Sequence, residues 1–170
     1  MDETTTDVRH EAGEELVREH LLGLLAGKDA HVGFDAAVEG MPWERAGERP
    51  HGLPHSVWEL VEHLRMALWD LVEFSRDPHH ESPPWPEGYW PPAAGPPGEE
   101  AWQASLDSYR RHVGEMRALI EDRGKDLFEP FPWGDGQTLA REAMLAADHA
   151  GYHLGQIVQV RRLLGEWARD

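Results

Sequence analysis

Apolar residues recur along this chain at alternating spacings of three and four, the pattern of helices that bury one face. The clearest run is Leu139, Ala143, Ala146, Ala150, His153, Ile157, Val160 and Leu164. It predicts a last helix of about 27 residues, roughly 40 Å long at 1.5 Å per residue. Thr138 caps its start after the turn-rich Trp133-Gly134-Asp135-Gly136, and Gly165 stops it. A second helix is predicted from about Val57 to Ser75, with the stripe Val57, Leu60, Leu64, Ala67, Leu71 and Phe74. Ser56 and Glu59 form its capping box, and Pro54 and Pro78 bracket it. A third carries Trp102, Leu106, Tyr109, Val113, Met116 and Ile120 and ends at Gly124. The first helix, about Val8 to Ala26, is less regular, with Leu16, Val17, Leu21, Leu24 and Leu25 apolar. A short turn of helix is predicted over Phe34 to Glu39. Period-two alternation is nowhere sustained, so no strand is predicted. The expected fold is all-α, a four-helix bundle with long crossover loops.

The connections differ in kind. Residues 27–55 form a long crossover rich in Gly and Pro. Residues 77–98 hold eight of the thirteen prolines together with Trp85, Tyr89 and Trp90. Proline restricts the backbone and large rings favour burial, so this reads as an ordered loop packed across the bundle. The length of 170 residues suits one domain spanning 1–170.

Composition narrows the function classes. The formal charge is −16, from 32 acidic against 16 basic residues. Such a chain is repelled by phosphate backbones and anionic lipid, which argues against nucleic-acid and membrane partners. No apolar run approaches the roughly 20 residues of a membrane span, and the acidic start, Met1 to Asp7, does not read as a signal peptide. A soluble cytoplasmic protein is expected. Cysteine is absent, which excludes disulfides, thiolate metal ligands and a cysteine nucleophile. Any bound metal has to rest on histidine and carboxylate, and there are eleven histidines. Arginine outnumbers lysine fourteen to two and asparagine is missing, a bias that points to a GC-rich bacterial genome.

Residues 148–156 concentrate the candidate chemistry: Asp148-His149-Ala150-Gly151-Tyr152-His153-Leu154-Gly155-Gln156. Histidines at i and i+4 lie about 40° apart around a helix and one turn apart in height, so both imidazoles can reach one ion. His153 occupies the seam where leucine is expected. A buried imidazole needs partners for both nitrogens, and a metal with an outer acceptor supplies them. Ala146, Ala147, Ala150 and Gly151 leave space beside the helix for a cavity or for close helix packing. A third ligand is required. His63, which borders the buried stripe of its helix, is the best candidate, with His55, His51 and His112 competing. His79, His80, His10, His20 and His31 read as solvated.

Several of these residues carry a family resemblance. Gln137-Thr138, then His149-x3-His153-x-Gly155-Gln156-Ile157, with the upstream Trp58-x3-Val61-Glu62-His63-Leu64, resemble the DinB/YfiT-like superfamily over roughly residues 10–166. The loop from Trp85 to Trp90 and the ending Leu163-Leu164-Gly165-Glu166-Trp167 resemble a bacterial subgroup of it. The resemblance implies a four-helix bundle with non-sequential helix order and a divalent metal near one end, held by His63, His149 and His153. It implies nickel or zinc, with iron or manganese as further options, and a homodimer. It also implies hydrolase-like chemistry on a small-molecule substrate, or transfer and isomerisation with a low-molecular-weight thiol.

Three neutral imidazoles leave coordination positions open, and an ion there stabilises the deprotonated form of water or of a thiol. Glu59 and Glu142 are the carboxylates whose helical position brings them near such a site. Tyr152 and Gln156 are candidates for contact with a ligand or with an outer nitrogen, and Trp85, Tyr89 and Trp90 for the wall of a pocket. The expectation is a metal-dependent hydrolase or thiol-dependent transferase. The alternative is a non-catalytic metal-binding or dimeric interaction protein.

Overall fold

The computed structural model describes the backbone of residues 3–27 and 30–167, with side chains from residue 12 onward. Four long helices pack together: α1 (Glu3–Leu25), α3 (Val57–Arg76), α4 (Glu99–Glu121) and α5 (Leu139–Leu164), with the short α2 at Phe34–Val38. Among the described residues there is no strand, only an isolated bridge between Pro130 and Thr138. No helix among the described residues is long and apolar enough to cross a membrane.

α3 packs on α4 and α5, and α1 packs on the same two helices, so α1 and α3 stand diagonally. Sequence neighbours are therefore not always spatial neighbours, and the connection from α1 to α3 crosses the bundle. The capping signals read from sequence for α3 and α5 are used. Ser56 and Glu59 form the reciprocal box at the start of α3. Thr138 Oγ1 accepts from the Arg141 amide at the start of α5, and Gly165 ends that helix at φ 74°, a left-handed conformation that glycine adopts without a Cβ clash. Gly124 does not itself end α4; the helix stops at Glu121 and Gly124 lies in the turn beyond. The first helix begins earlier than its periodicity indicated, at Glu3.

The buried face of α3 shifts along its length. Val57, Leu60, Val61 and Leu64 lead into Leu68 and Val72, while Ala67, Leu71 and Phe74 sit half-buried at its edge. A helix flanked by two neighbours buries a broader face than one apolar stripe describes. In α1, Leu21 is buried, whereas Leu16 and Leu24 are exposed. Two buried arginines close helix ends. Arg18 donates to the carbonyl of Ile120 in the last turn of α4 and to that of Lys125 just beyond it. Arg161 donates to those of Ala37 and Glu39 at 2.6 and 2.8 Å. Both satisfy carbonyls that a helix terminus leaves unpaired.

Candidate metal centre

His63 belongs to the buried face of α3 and is 2% exposed. His149 and His153 stand one turn apart on α5, the helix packed beside it. The three rings meet nearly edge to face, with centroids 4.5 to 4.8 Å apart. One ligand nitrogen from each lies within 4.8 Å of the others. No carboxylate joins this cluster among the described residues.

The outer nitrogens are fixed by acceptors. His63 Nδ1 donates to the Tyr89 carbonyl at 2.9 Å. His153 Nδ1 donates to Gln156 Oε1 at 2.7 Å. An oxygen that only accepts puts the proton of a neutral imidazole on Nδ1 and leaves the Nε2 lone pair free. Burial holds His63 and His149 down to about 4, and it lowers His153 as well. All three rings are therefore neutral near pH 7, the form that binds metal.

The donor set could hold a metal ion, and the spacing of two of its nitrogens bears on this. Nε2 of His63 and Nε2 of His149 are 3.0 Å apart, so a proton or a cation has to lie between them. Two nitrogens at metal-binding distance from one ion stand roughly 2.9 Å apart at a right angle and roughly 3.4 Å at the tetrahedral angle. The observed spacing falls within that span.

A family model described as the DinB superfamily matches residues 28–157. The chain belongs to the DinB superfamily. No curated protein and no solved structure matches it. The expected bundle of four main helices is the fold observed for this DinB chain.

The Pro-rich loop supplies the cover of the DinB cluster. Trp90 lies flat on His63, centroids 4.0 Å apart and planes 1° from parallel. Its other face carries His55 at 4.0 Å. Tyr89 contributes through its backbone carbonyl, while its ring turns away and its hydroxyl donates to Asp70 Oδ2 at 2.7 Å. Burial and that bond raise the phenol, which stays protonated as a donor. Trp85 is 73% exposed, against Tyr89 rather than the histidines. Tyr152 is also exposed, its ring edge-on to His153.

The carboxylates considered from sequence are engaged elsewhere. Glu59 accepts from the Ser56 amide at 2.8 Å and pairs with Arg49. Burial raises Glu59, but these partners outweigh it and hold the carboxyl below its usual value. Glu142 is buried beside Arg141 at 2.5 Å, and burial raises it. His112 is buried in α4 and His51 is exposed, and neither joins the three histidines. His80 corrects the solvated reading: its side chain is 8% exposed and pairs with Asp70. The side chain of His10 lies outside the described residues.

Two of the four small residues of α5 border space, but on another face, while Ala146 is packed in the core. Ala147 and Ala150 line a cavity of about 620 Å³ with Leu25, Phe34, Tyr109 and Val113, and none of the three histidines lines it. Nearer the cluster is a pocket of about 100 Å³ whose walls include Leu53, His55, Leu60 and Gln156. Asp70, which no motif of the sequence singles out, is buried on α3 and bonded to His80 and Tyr89. Its position seven residues after His63, two turns along one helix, was the available signal.

Proposed function

We propose that this DinB protein holds a divalent metal ion through His63, His149 and His153 and acts on a small molecule, as a metal-dependent hydrolase or a low-molecular-weight-thiol-dependent transferase. The observation that carries the reading is the convergence of three neutral imidazoles, two of them with their outer nitrogens already bonded to oxygen. Buried histidines without charge partners cost stability unless something uses their lone pairs. A three-histidine set without a carboxylate leaves coordination positions for a small molecule, as in catalytic rather than structural sites.

The bound ion supplies Lewis acidity, which lowers the pKa of a water or thiol beside it. The chain's own residues do the rest. His63, His149 and His153 hold the ion, and the Tyr89 carbonyl and Gln156 orient two of them. Trp90 shields one face of His63 from water. Glu59 and Glu142 are committed to arginines, so the chemistry favoured here needs no carboxylate base at the ion. With no cysteine in the chain, a reacting thiol comes from a separate small molecule. Nickel and zinc suit imidazole ligands, as does iron, while manganese prefers oxygen. A homodimer is part of the same proposal, supported by exposed Leu16 and Leu24 on α1 and Met144 and Leu145 on α5. Sedimentation velocity tests it.

The deciding experiment is metal content by elemental analysis after stripping and reloading with zinc or nickel. One equivalent is expected in the wild type and little in His153→Ala. Unchanged stoichiometry in the variant would overturn the site. Exchangeable water in the loaded protein supports the enzyme; a sphere closed by protein atoms favours the non-catalytic alternative.

A further inference from the structure

The buried carboxylate of Asp70 has no part in the three-histidine cluster, yet it holds the loop that covers it. Asp70 is 9% exposed on α3. Oδ1 pairs with His80 Nε2 at 2.7 Å, and Oδ2 accepts from the Tyr89 hydroxyl at 2.7 Å. Both partners belong to the Pro-rich segment between α3 and α4, so one side chain ties it to the bundle at two places. Between them the segment is tightly folded: a Cβ on Gly88 would meet Pro83 Cβ at 2.6 Å. Tyr89 then spans two rungs of α3, its hydroxyl on Asp70 and its carbonyl on His63 Nδ1. Residues seven apart on a helix lie about 10 Å apart along its axis on nearly one face. Tyr89 therefore runs alongside α3, and its position is set from both ends.

We propose that Asp70 is a positioning residue for the metal site, acting through Tyr89 to fix the tautomer and orientation of His63. This rests on the reading of the three histidines as metal ligands. A neutral imidazole carries its single proton on either nitrogen, and the hydrogen bond made by one decides the other. The Tyr89 carbonyl holds the proton on Nδ1 only while it stays opposite that atom. Asp70 keeps it there by anchoring the phenol, and Trp90, the next residue in the chain, lands on the His63 ring as a result. Outer partners of metal-binding histidines tune affinity by about 10- to 100-fold. Asp70 stands one residue further out, so its removal is expected at the lower end, about tenfold.

The test uses the full chain and two readouts. In metal-free protein near pH 7.5, long-range proton–nitrogen NMR reports the His63 tautomer. Wild type is expected to show Nδ1–H alone, and Asp70→Asn and Tyr89→Phe a mixture. Zn2+ affinity, from competition with a chromophoric chelator, should fall about tenfold in each. The double variant should lose no more than the weaker-binding single, because both act on one path. Tyr89→Phe keeps the backbone carbonyl and guards against misfolding of Asp70→Asn. A folded variant that keeps Nδ1–H on His63 and wild-type Zn2+ affinity would overturn the proposal, leaving Asp70 a loop anchor only. Additive losses in the double variant would also overturn it. Wild-type protein that binds no Zn2+ defeats the metal reading instead, and the tautomer measurement distinguishes that failure because it needs no metal.

Discussion

Trp90 lies flat against His63, with centroids 4.0 Å apart and planes within 1° of parallel. The indole also carries His55 on its opposite face. An imidazole held this way cannot turn about its ring axis, and its Nδ1 stays on the Tyr89 carbonyl. Stacking and hydrogen bond restrain the same ring in two perpendicular directions.

Removing the indole should loosen that ring. Trp90→Ala is expected to weaken Zn2+ binding about tenfold, and Trp90→Phe, which keeps a flat ring, by less. Chelator competition measures both. Equal affinity in the alanine variant and the wild type would show that the hydrogen bond alone orients His63.

Gln156 is the acceptor for His153 Nδ1 at 2.7 Å. Gln156→Leu leaves that N–H without a partner, and metal affinity should fall by about 10- to 100-fold. Gln156→Glu retains an acceptor oxygen and should bind at least as well as the wild type. Isothermal titration with Zn2+ separates the two outcomes.

Glu142 supplies a pH dependence. Burial raises its carboxyl above the usual value despite the bond to Arg141. A group with a raised folded-state pKa stabilises the fold fully below its unfolded pKa of about 4.3, and that contribution is lost as pH rises through the folded value. Glu142→Gln should therefore melt above the wild type at pH 8, with the gap closing toward pH 4. Melting curves of the two metal-free proteins across that range check it, and a gap that widens in acid would contradict the assignment.

Gly165 ends α5 at φ 74°. Alanine there meets the left-handed penalty of about 1 kcal/mol. Gly165→Ala should lose about that much stability in urea titration, with metal affinity unchanged because the cap lies three turns beyond His153. A neutral result would mean that the terminus relaxes out of the left-handed region.

The helices were legible because their signals are local. Ser56 and Glu59 sit three apart, Thr138 precedes its apolar run, and Gly165 follows Leu164, so one turn of backbone holds each signal. The first helix was less legible because Leu16 and Leu24 are apolar yet exposed. His80 was misread as solvated because its partner is Asp70, on a helix that ends before the loop begins. Glu59, one turn before His63, is held by the capping box as its sequence position indicates, and also by Arg49, which arrives from the crossover.

Sequence alone shows four long helices, the caps of α3 and α5 and the pairing of His149 with His153, since residues four apart on a helix face the same way. It also determined that no thiolate of this chain takes part. For the third member, residue patterning favoured His63 over His55, His51 and His112, and the family resemblance implied it. That the three rings meet is a matter of tertiary structure, because α3 lies beside α5. The same is true of the Tyr89 carbonyl, the Trp90 stack and the Asp70 anchor. These contacts form between a loop and a helix that periodicity treats separately, and the chain's own folding back over α3 brings them together.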